Sequence, residues 1–98
     1  MKEIVFLPPS DKELDDAIDY YNDQHSGLGS QFFQELMNAI EVIQKFPNAW
    51  KKVGQNTHKL LLTRFPYLVL YIPEKEKILI TAIAHQHRRP EYYIERIK

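Results

Sequence analysis

The hydrophobic pattern of this sequence changes its period once, between residues 46 and 57, and that change limits the folds open to the chain. Before it, apolar side chains recur every three or four residues, which is the spacing of a buried helical face. After it, short β-rich runs alternate with turn residues, which is typical of strands. Helices followed by strands predict an α+β fold, with the helices gathered on one face of a sheet.

Two amphipathic helices are predicted, over residues 10–25 and 28–46. Ser10 is a good N-cap, and Glu13 three positions later completes a capping-box pattern. Gly27 permits the left-handed conformation that ends the first helix, and a proline ends the second. The apolar stripes expected to face the core are Leu14, Ala17, Ile18 and Tyr21, then Phe32, Phe33, Leu36, Met37, Ile40, Ile43 and Phe46. The glycine-containing turn between the helices predicts an antiparallel hairpin.

Four β-rich runs predict strands, and short links between the last three favour an antiparallel meander. The runs cover residues 3–7, 60–63, 67–72 and 78–84, and a charged turn covers residues 73–77. Residues 48–56 are predicted to form a loop. The tail at 89–98 is predicted to form a short helix, because Tyr93 and Ile97 are four positions apart. The expected order is βααβββ over residues 1–98, a single domain in which a two-helix hairpin packs on an antiparallel sheet.

Composition excludes several classes of site. The 98-residue chain has no cysteine, which removes disulfide scaffolds, thiolate metal clusters and cysteine nucleophiles. No run approaches the ~18 apolar residues of a membrane span, and the N-terminal run is too short for a signal peptide, so we expect a cytoplasmic protein without a membrane partner. His85 and His87 have only Glu91 nearby as a third ligand, so we expect no metal site and no cofactor.

The net charge of zero hides a division between the two halves of the chain. Residues 1–49 carry three basic and nine acidic residues, whereas residues 50–98 carry ten basic and four acidic residues. Such asymmetry indicates a polyanionic or acidic partner for the basic half. Pairing of the charges across the fold would explain it equally well, and both interpretations stay open at this point.

Basic and aromatic residues follow the last predicted strand. This segment runs His85-Gln86-His87-Arg88-Arg89-Pro90-Glu91-Tyr92-Tyr93, and Lys51, Lys52, Lys59 and Arg64 flank the other strands. RNA cleavage needs a base, an acid and cations for the charged transition state, and these histidines, tyrosines and arginines are of the right type. The alternative is a solvated basic surface whose tyrosines cover the end of the core, and composition alone favours it.

Two motifs carry a resemblance to a known family. The sequence Leu-Leu-Leu-Thr-Arg-Phe-Pro-Tyr-Leu-Val-Leu-Tyr at 60–71, followed by Ile-x-Ile-x-Ala-Ile-x-His-x-x-Arg-x-Pro at 78–90, resembles the RelE/ParE superfamily of bacterial type II toxins. The order of predicted elements fits as well, so the resemblance covers essentially the whole chain. It implies a toxin that a cognate antitoxin neutralises by wrapping its C-terminal segment over the toxin.

The superfamily divides into RelE-like ribosome-dependent mRNA endonucleases and ParE-like proteins that are associated with inhibition of DNA gyrase. In the resemblance, Arg88 matches a phosphate-contacting arginine of the RelE-like group, and Lys59 aligns with a lysine of its basic strand. Tyr92 or Tyr93 lies near that group's terminal tyrosine. Leu68 and Leu61, however, stand where RelE-like ribonucleases have an arginine and a second lysine.

Because a leucine cannot stabilise a phosphorane, the resemblance favours a ParE-like toxin that inhibits gyrase. An mRNA endonuclease, metal-independent, is the alternative, and an inactive remnant that only binds its partner is a third. The residues predicted for cleavage, in the endonuclease case only, are His85, His87, Arg88 and Tyr93. The residues predicted to bind the target or the antitoxin are Lys59, Arg64, Arg88 and Arg89.

Overall fold

The computed structural model describes residues 1–98 as two helices packed on one face of a five-stranded sheet. Its elements are β1 Glu3–Phe6, α1 Ser10–Gln24, α2 Leu28–Lys45, β2 Lys51–Lys52, β3 His58–Leu61, β4 Tyr67–Pro73 and β5 Lys77–His85, followed by 3₁₀ turns at Pro90–Tyr92 and Ile94–Arg96. The predicted α+β class, the helical hairpin and the order of the main elements are confirmed. No helix combines the length and the apolar character that a membrane span requires.

The sheet has the strand order β1-β5-β4-β3-β2. Strands β3, β4 and β5 form the predicted antiparallel meander. The sheet as a whole is mixed rather than antiparallel, because β1 pairs with β5 in the parallel direction, from Glu3 opposite Lys77 to Phe6 opposite Ile80. Periodicity within a strand does not encode the direction of a partner more than 70 residues away.

Two further differences concern short segments. Lys51 and Lys52, predicted to lie in a loop, pair with β3 as a two-residue edge strand. The predicted terminal helix is a pair of 3₁₀ turns, one beginning at Pro90. Such short pieces depend on the strand or core that they contact, because they are too short to be stable alone.

The main core lies between the helices and the sheet. Its largest fully buried side chains include Phe32, Leu36, Ile43, Tyr71, Ile78 and Ile80. The predicted stripe of α2 is correct except at its borders, where Phe33 is 41% and Phe46 is 60% exposed. Phe32 takes the inward position, and its neighbour Phe33, about 100° further round the helix, faces outward.

The predicted capping box does not form. The single O–H of Ser10 is shared between the carbonyl oxygens of Leu7 and Ile80, which lie 2.7 and 2.9 Å from Ser10 Oγ. The Glu13 carboxylate accepts from the backbone N–H of Ile83 at 3.0 Å. The physical reason is the length of β1, which ends opposite Ile80. Beyond that point β5 has no neighbouring strand on this side, and Glu13 supplies the acceptor that a strand would have given.

The second face of the sheet carries a smaller core beneath the C-terminal tail. Leu68, Leu70, Ala82 and Ala84 form it, and Val53, Tyr93 and Ile97 pack against it. The end of the tail is held at Thr57, whose hydroxyl lies 3.1 Å from the Lys98 carbonyl oxygen and 2.9 Å from the Lys98 N–H. The tail also approaches Gly54 closely, because a Cβ at that position would lie only 2.5 Å from an Ile97 methyl carbon.

Candidate functional site

His85 and His87 lie at the end of the sheet where β5 stops and β4 begins. His85 is opposite Tyr67 in the β4–β5 pair, and the two rings meet edge to face with their centroids 5.4 Å apart. The backbone N–H of His87 donates to His85 Nδ1 at 3.1 Å, and the two imidazole centroids are 5.3 Å apart. The turn after β5 therefore places both predicted histidines side by side.

Arg88 extends from this turn over the ring of Tyr92. Its Cζ atom is 4.0 Å from the ring centroid, and Arg96 approaches the same ring at 4.9 Å. The Tyr92 hydroxyl donates to the Glu13 carboxylate, and Arg96 Nη1 lies 3.0 Å from both oxygens of that carboxylate. Arg88 thus joins the histidines at this end of the sheet, whereas Arg96 is engaged in an internal ion pair.

Arg64 lies at the same end of the sheet, in the turn between β3 and β4. Its Nη2 donates to Gln31 Oε1 at 2.8 Å. The backbone N–H groups of Thr63 and Arg64 both donate to Glu35 Oε2, at 3.0 and 2.9 Å. A carboxylate on α2 therefore fixes this turn, while the Arg64 guanidinium has no carboxylate partner of its own.

Lys59 is further from the histidines than the other predicted binding residues. It lies on β3 opposite Leu70, three positions along β4 from the Tyr67 end, and this corresponds to about 10 Å. Its other neighbour is Lys51, directly opposite on β2. Like charges in such a pair are destabilising, and neither lysine forms an ion pair. Arg89 is exposed and also unpaired.

Tyr93 does not lie with the histidines in a position to act as the acid. It is half-buried and packs against the small core on the second face of the sheet. Leu68, at the position of the missing arginine, belongs to that core and is only 3% exposed. Of the four residues predicted for RNA cleavage, the structure brings His85, His87 and Arg88 together, and it gives Tyr93 a packing contact.

A cleft of about 180 Å³ lies beside Arg88, between α1 and the end of β5. Asp16, Tyr20, Tyr67, His85, Arg88 and Tyr92 are among its lining residues. Burial and the nearby Tyr20 raise the pKa of Tyr67 above 10.0, although Arg88 opposes the shift. Tyr67 therefore stays a neutral phenol near pH 7 and cannot act as a base there. No group of three or more potential metal ligands is found in the protein.

A larger groove of about 570 Å³ runs between α2 and the free edge of β3. One wall includes Glu35, Asn38, Ala39 and Val42, and the other includes Trp50, Leu60, Leu61, Leu62 and Arg64. Leu61 is 51% exposed in this groove. Because β2 pairs only with His58 and Lys59, the edge of β3 beyond Lys59 has no neighbouring strand.

The sequence did not identify Glu13 as part of this region, and the predicted cleavage set named Tyr93, whereas it is Tyr92 that contacts Arg88. The signal for Glu13 was its position, four residues before Ala17 and eight before Tyr21, on the face predicted to be buried. A carboxylate on a buried face requires partners. Which partners it has depends on the path of the tail, and local patterns do not contain that path.

Comparison with known proteins gives one family and a shared fold. The family model described as ParE toxin of type II toxin-antitoxin system, parDE, matches residues 4–90. The comparison with curated proteins found no match. A solved structure of the chromosomal ParDE TA system from P. aeruginosa is similar with a TM-score of 0.76 and 18% identity, over 87% of this chain and 96% of that one. The isolated E. coli RelE toxin is similar with a TM-score of 0.68 and 16% identity, over 100% of both chains.

Proposed function

Because the chain belongs to the ParE toxin family of type II toxin-antitoxin systems, we propose that it inhibits DNA gyrase and that a cognate antitoxin neutralises it. The family match over residues 4–90 is the observation that carries the proposal. The basic surface at the end of the sheet, with Arg64, Arg88 and Arg89 free of carboxylate partners, is the region that would contact the target.

The two leucines argue for binding rather than RNA cleavage. Leu68 is buried beneath the tail, and Leu61 presents an apolar side chain to the groove. Neither can stabilise the charge of a phosphoryl transition state, and that stabilisation is a large part of such catalysis. In the tail, the only hydroxyl next to Arg88 is that of Tyr92, and it already donates its hydrogen bond to Glu13.

The groove between α2 and β3 is the place where an antitoxin segment would bind. Its walls combine apolar side chains with an unpaired strand edge, and a peptide could add a strand there. Arg64 lines the groove and would attract an acidic side chain. Arg88 and Arg89 lie outside the groove. Acidic antitoxin residues that pair with them would therefore belong to a segment that continues around the end of the sheet. The similar P. aeruginosa structure is titled as a ParDE toxin-antitoxin system, which supports an antitoxin as the partner.

An mRNA endonuclease is the second candidate, and the adjacent imidazoles are the observation that favours it. His85 and His87 are in ring contact, and Arg88 follows them directly. Two imidazoles at this distance could supply a base and an acid. The fold shared with the isolated RelE toxin is compatible with this candidate, but a shared fold does not assign an activity.

Inducible expression in bacteria tests the proposal at the level of the cell. The chain is expressed alone and together with the small gene beside it, and growth and plasmid supercoiling are followed. We expect growth arrest with relaxed plasmid DNA, relieved by the neighbouring gene product. Normal growth with full expression would point to the third candidate, an inactive remnant that only binds.

A further inference from the structure

Two guanidinium groups approach the ring of Tyr92. Arg88 Cζ and Arg96 Cζ lie 4.0 and 4.9 Å from its ring centroid, both within the ~6 Å over which a cation is attracted to an aromatic face. Arg88 forms no ion pair, and its side chain donates no hydrogen bond to the protein. The Tyr92 ring is therefore the contact that orients this exposed side chain.

The position of Tyr92 depends in turn on Glu13. The side chain of Glu13 is 8% exposed, and it accepts from the Tyr92 hydroxyl, from Arg96 and from the Ile83 N–H. A carboxylate with several donors and an ion pair is rigidly placed, because losing any donor would leave buried charge unsatisfied. One side chain on α1 thus fixes the part of the tail that contacts Arg88.

We propose that Glu13 is a positioning residue for the target-binding surface, and that it acts through the ring of Tyr92 on Arg88. The inference rests on the proposed function only for what Arg88 contacts, an anionic group of the target. The chain Glu13–Tyr92–Arg88 is a property of the protein alone. It explains why a glutamate occupies the buried face of α1 and why the arginine precedes the tyrosine by four residues.

Removal of the Tyr92 hydroxyl distinguishes this positioning role from simple support of the tail. Tyr92→Phe keeps the ring but removes its anchor on Glu13. Tyr93→Phe is the matched control, because the neighbouring Tyr93 hydroxyl forms no hydrogen bond within the protein, so the control removes an oxygen that holds nothing. Glu13→Gln is the complementary change, since it retains the shape of the side chain but not its charge.

The first measurement is the NMR spectrum of the Arg88 side chain in the free protein. In the parent, with Arg88 Cζ 4.0 Å from the Tyr92 ring centroid, we expect the ring to shift the Arg88 methylene protons upfield from their values in a disordered peptide. We expect Tyr92→Phe and Glu13→Gln to move these signals towards the disordered values, and Tyr93→Phe to leave them in place. Unchanged Arg88 signals in folded Tyr92→Phe protein would overturn the proposal, whether or not the protein inhibits gyrase.

The second measurement is a double-mutant cycle in a supercoiling assay. We expect Tyr92→Phe to raise the inhibitory concentration about five-fold in the parent and to have no further effect in Arg88→Ala. An equal loss in both backgrounds would overturn the proposal, since Tyr92 would then act through tail stability. If Arg88→Ala or the parent shows no inhibition, the NMR result decides alone, and an inactive parent counts against the proposed function rather than this inference.

Discussion

At the residue scale, Glu13 joins α1 to β5 and to the tail, whereas the sequence pattern predicts that it caps the start of α1 together with Ser10. Its capping-box spacing with Ser10 is real in the sequence. Its carboxylate instead bonds Ile83, Tyr92 and Arg96, which are 70 or more residues away. Local spacing could show that Glu13 lies near a helix start and on the buried face. Only the tertiary path of the tail could show that its partners are a tyrosine and an arginine.

The buried tyrosines make stability depend on pH in the alkaline range. Burial raises the pKa of Tyr71 from 10.0 to about 12, and it also raises the pKa values of Tyr21 and Tyr67. The unfolded chain loses these protons at a lower pH than the folded protein does. The contribution of the buried tyrosines to the free energy of unfolding is therefore complete below pH 10, and it is lost as the pH rises towards 12. In urea titrations between pH 9 and 12, Tyr71→Phe should show a shallower fall than the parent protein. Equal slopes for Tyr71→Phe and the parent protein would contradict the burial argument.

At the element scale, α1, α2, β4 and β5 follow from their own sequence, because periodicity and stop signals are local. The strand predicted at 60–63 is displaced, since β3 covers His58–Leu61. The direction of β1 and the existence of β2 do not follow from local sequence, because both are decided by pairing with distant strands. The exposure of Phe33 and Phe46 at the borders of the α2 stripe is likewise decided by distant parts of the chain. A wide apolar stripe tells which side of a helix is inward, but the partner surface decides how much of it is covered.

Substitution of Ile40 tests the inward face of α2. Ile40 is 4% exposed and belongs to the main core. Ile40→Asp loses about 1.5–3 kcal/mol of hydrophobic burial and adds the cost of a buried charge, so the chain should be largely unfolded at 25 °C. Circular dichroism melting would measure this, with Asn38→Asp on the exposed side of the same helix as control. A soluble Ile40→Asp protein with unchanged melting would mean that the wrong face has been placed inward.

The groove between α2 and β3 predicts how the antitoxin binds. Val42 and Phe33 are both 41% exposed on α2, but only Val42 lines the groove. Val42→Asp should therefore weaken antitoxin binding at least ten-fold, whereas Phe33→Asp should have little effect. Titration calorimetry with the cognate antitoxin at low and high salt measures both variants.

The same titration tests the charged end of the groove. The affinity of the parent should fall with salt, because an exposed arginine at a rim interacts through screened charges. Arg64→Gln should reduce this salt dependence. An affinity that is independent of salt, or an equal loss for Phe33→Asp and Val42→Asp, would contradict binding in the groove.

At the scale of the whole molecule, the charge division is not explained by pairing across the fold. Of the three ion pairs, two are within helices, and only Glu13–Arg96 joins the acidic half to the basic half. Most cations of the second half therefore face solvent without a partner. Pairing across the fold is therefore the weaker of the two interpretations that the sequence left open, and an acidic or anionic partner belongs to the proposed function.

The fold is kept at 18% and 16% identity to the ParDE and RelE structures, so architecture alone does not distinguish the two kinds of toxin. The distinction depends on single side chains, above all Leu68 and the two histidines. If the protein cleaved mRNA, loss of an acid or base histidine should reduce the rate by about 10²–10⁴. If it acts by binding gyrase, no proton is transferred and neither histidine is required for chemistry.

Gyrase supercoiling in the presence of the purified protein therefore tests the central claim most directly, with primer extension on cellular mRNA measured in parallel. The parent, His85→Gln and His87→Gln should all inhibit supercoiling to a similar degree and leave mRNA intact. Arg88→Ala, at the unpaired guanidinium, should inhibit less. Normal supercoiling together with codon-specific mRNA cuts that disappear in either histidine variant would contradict the account.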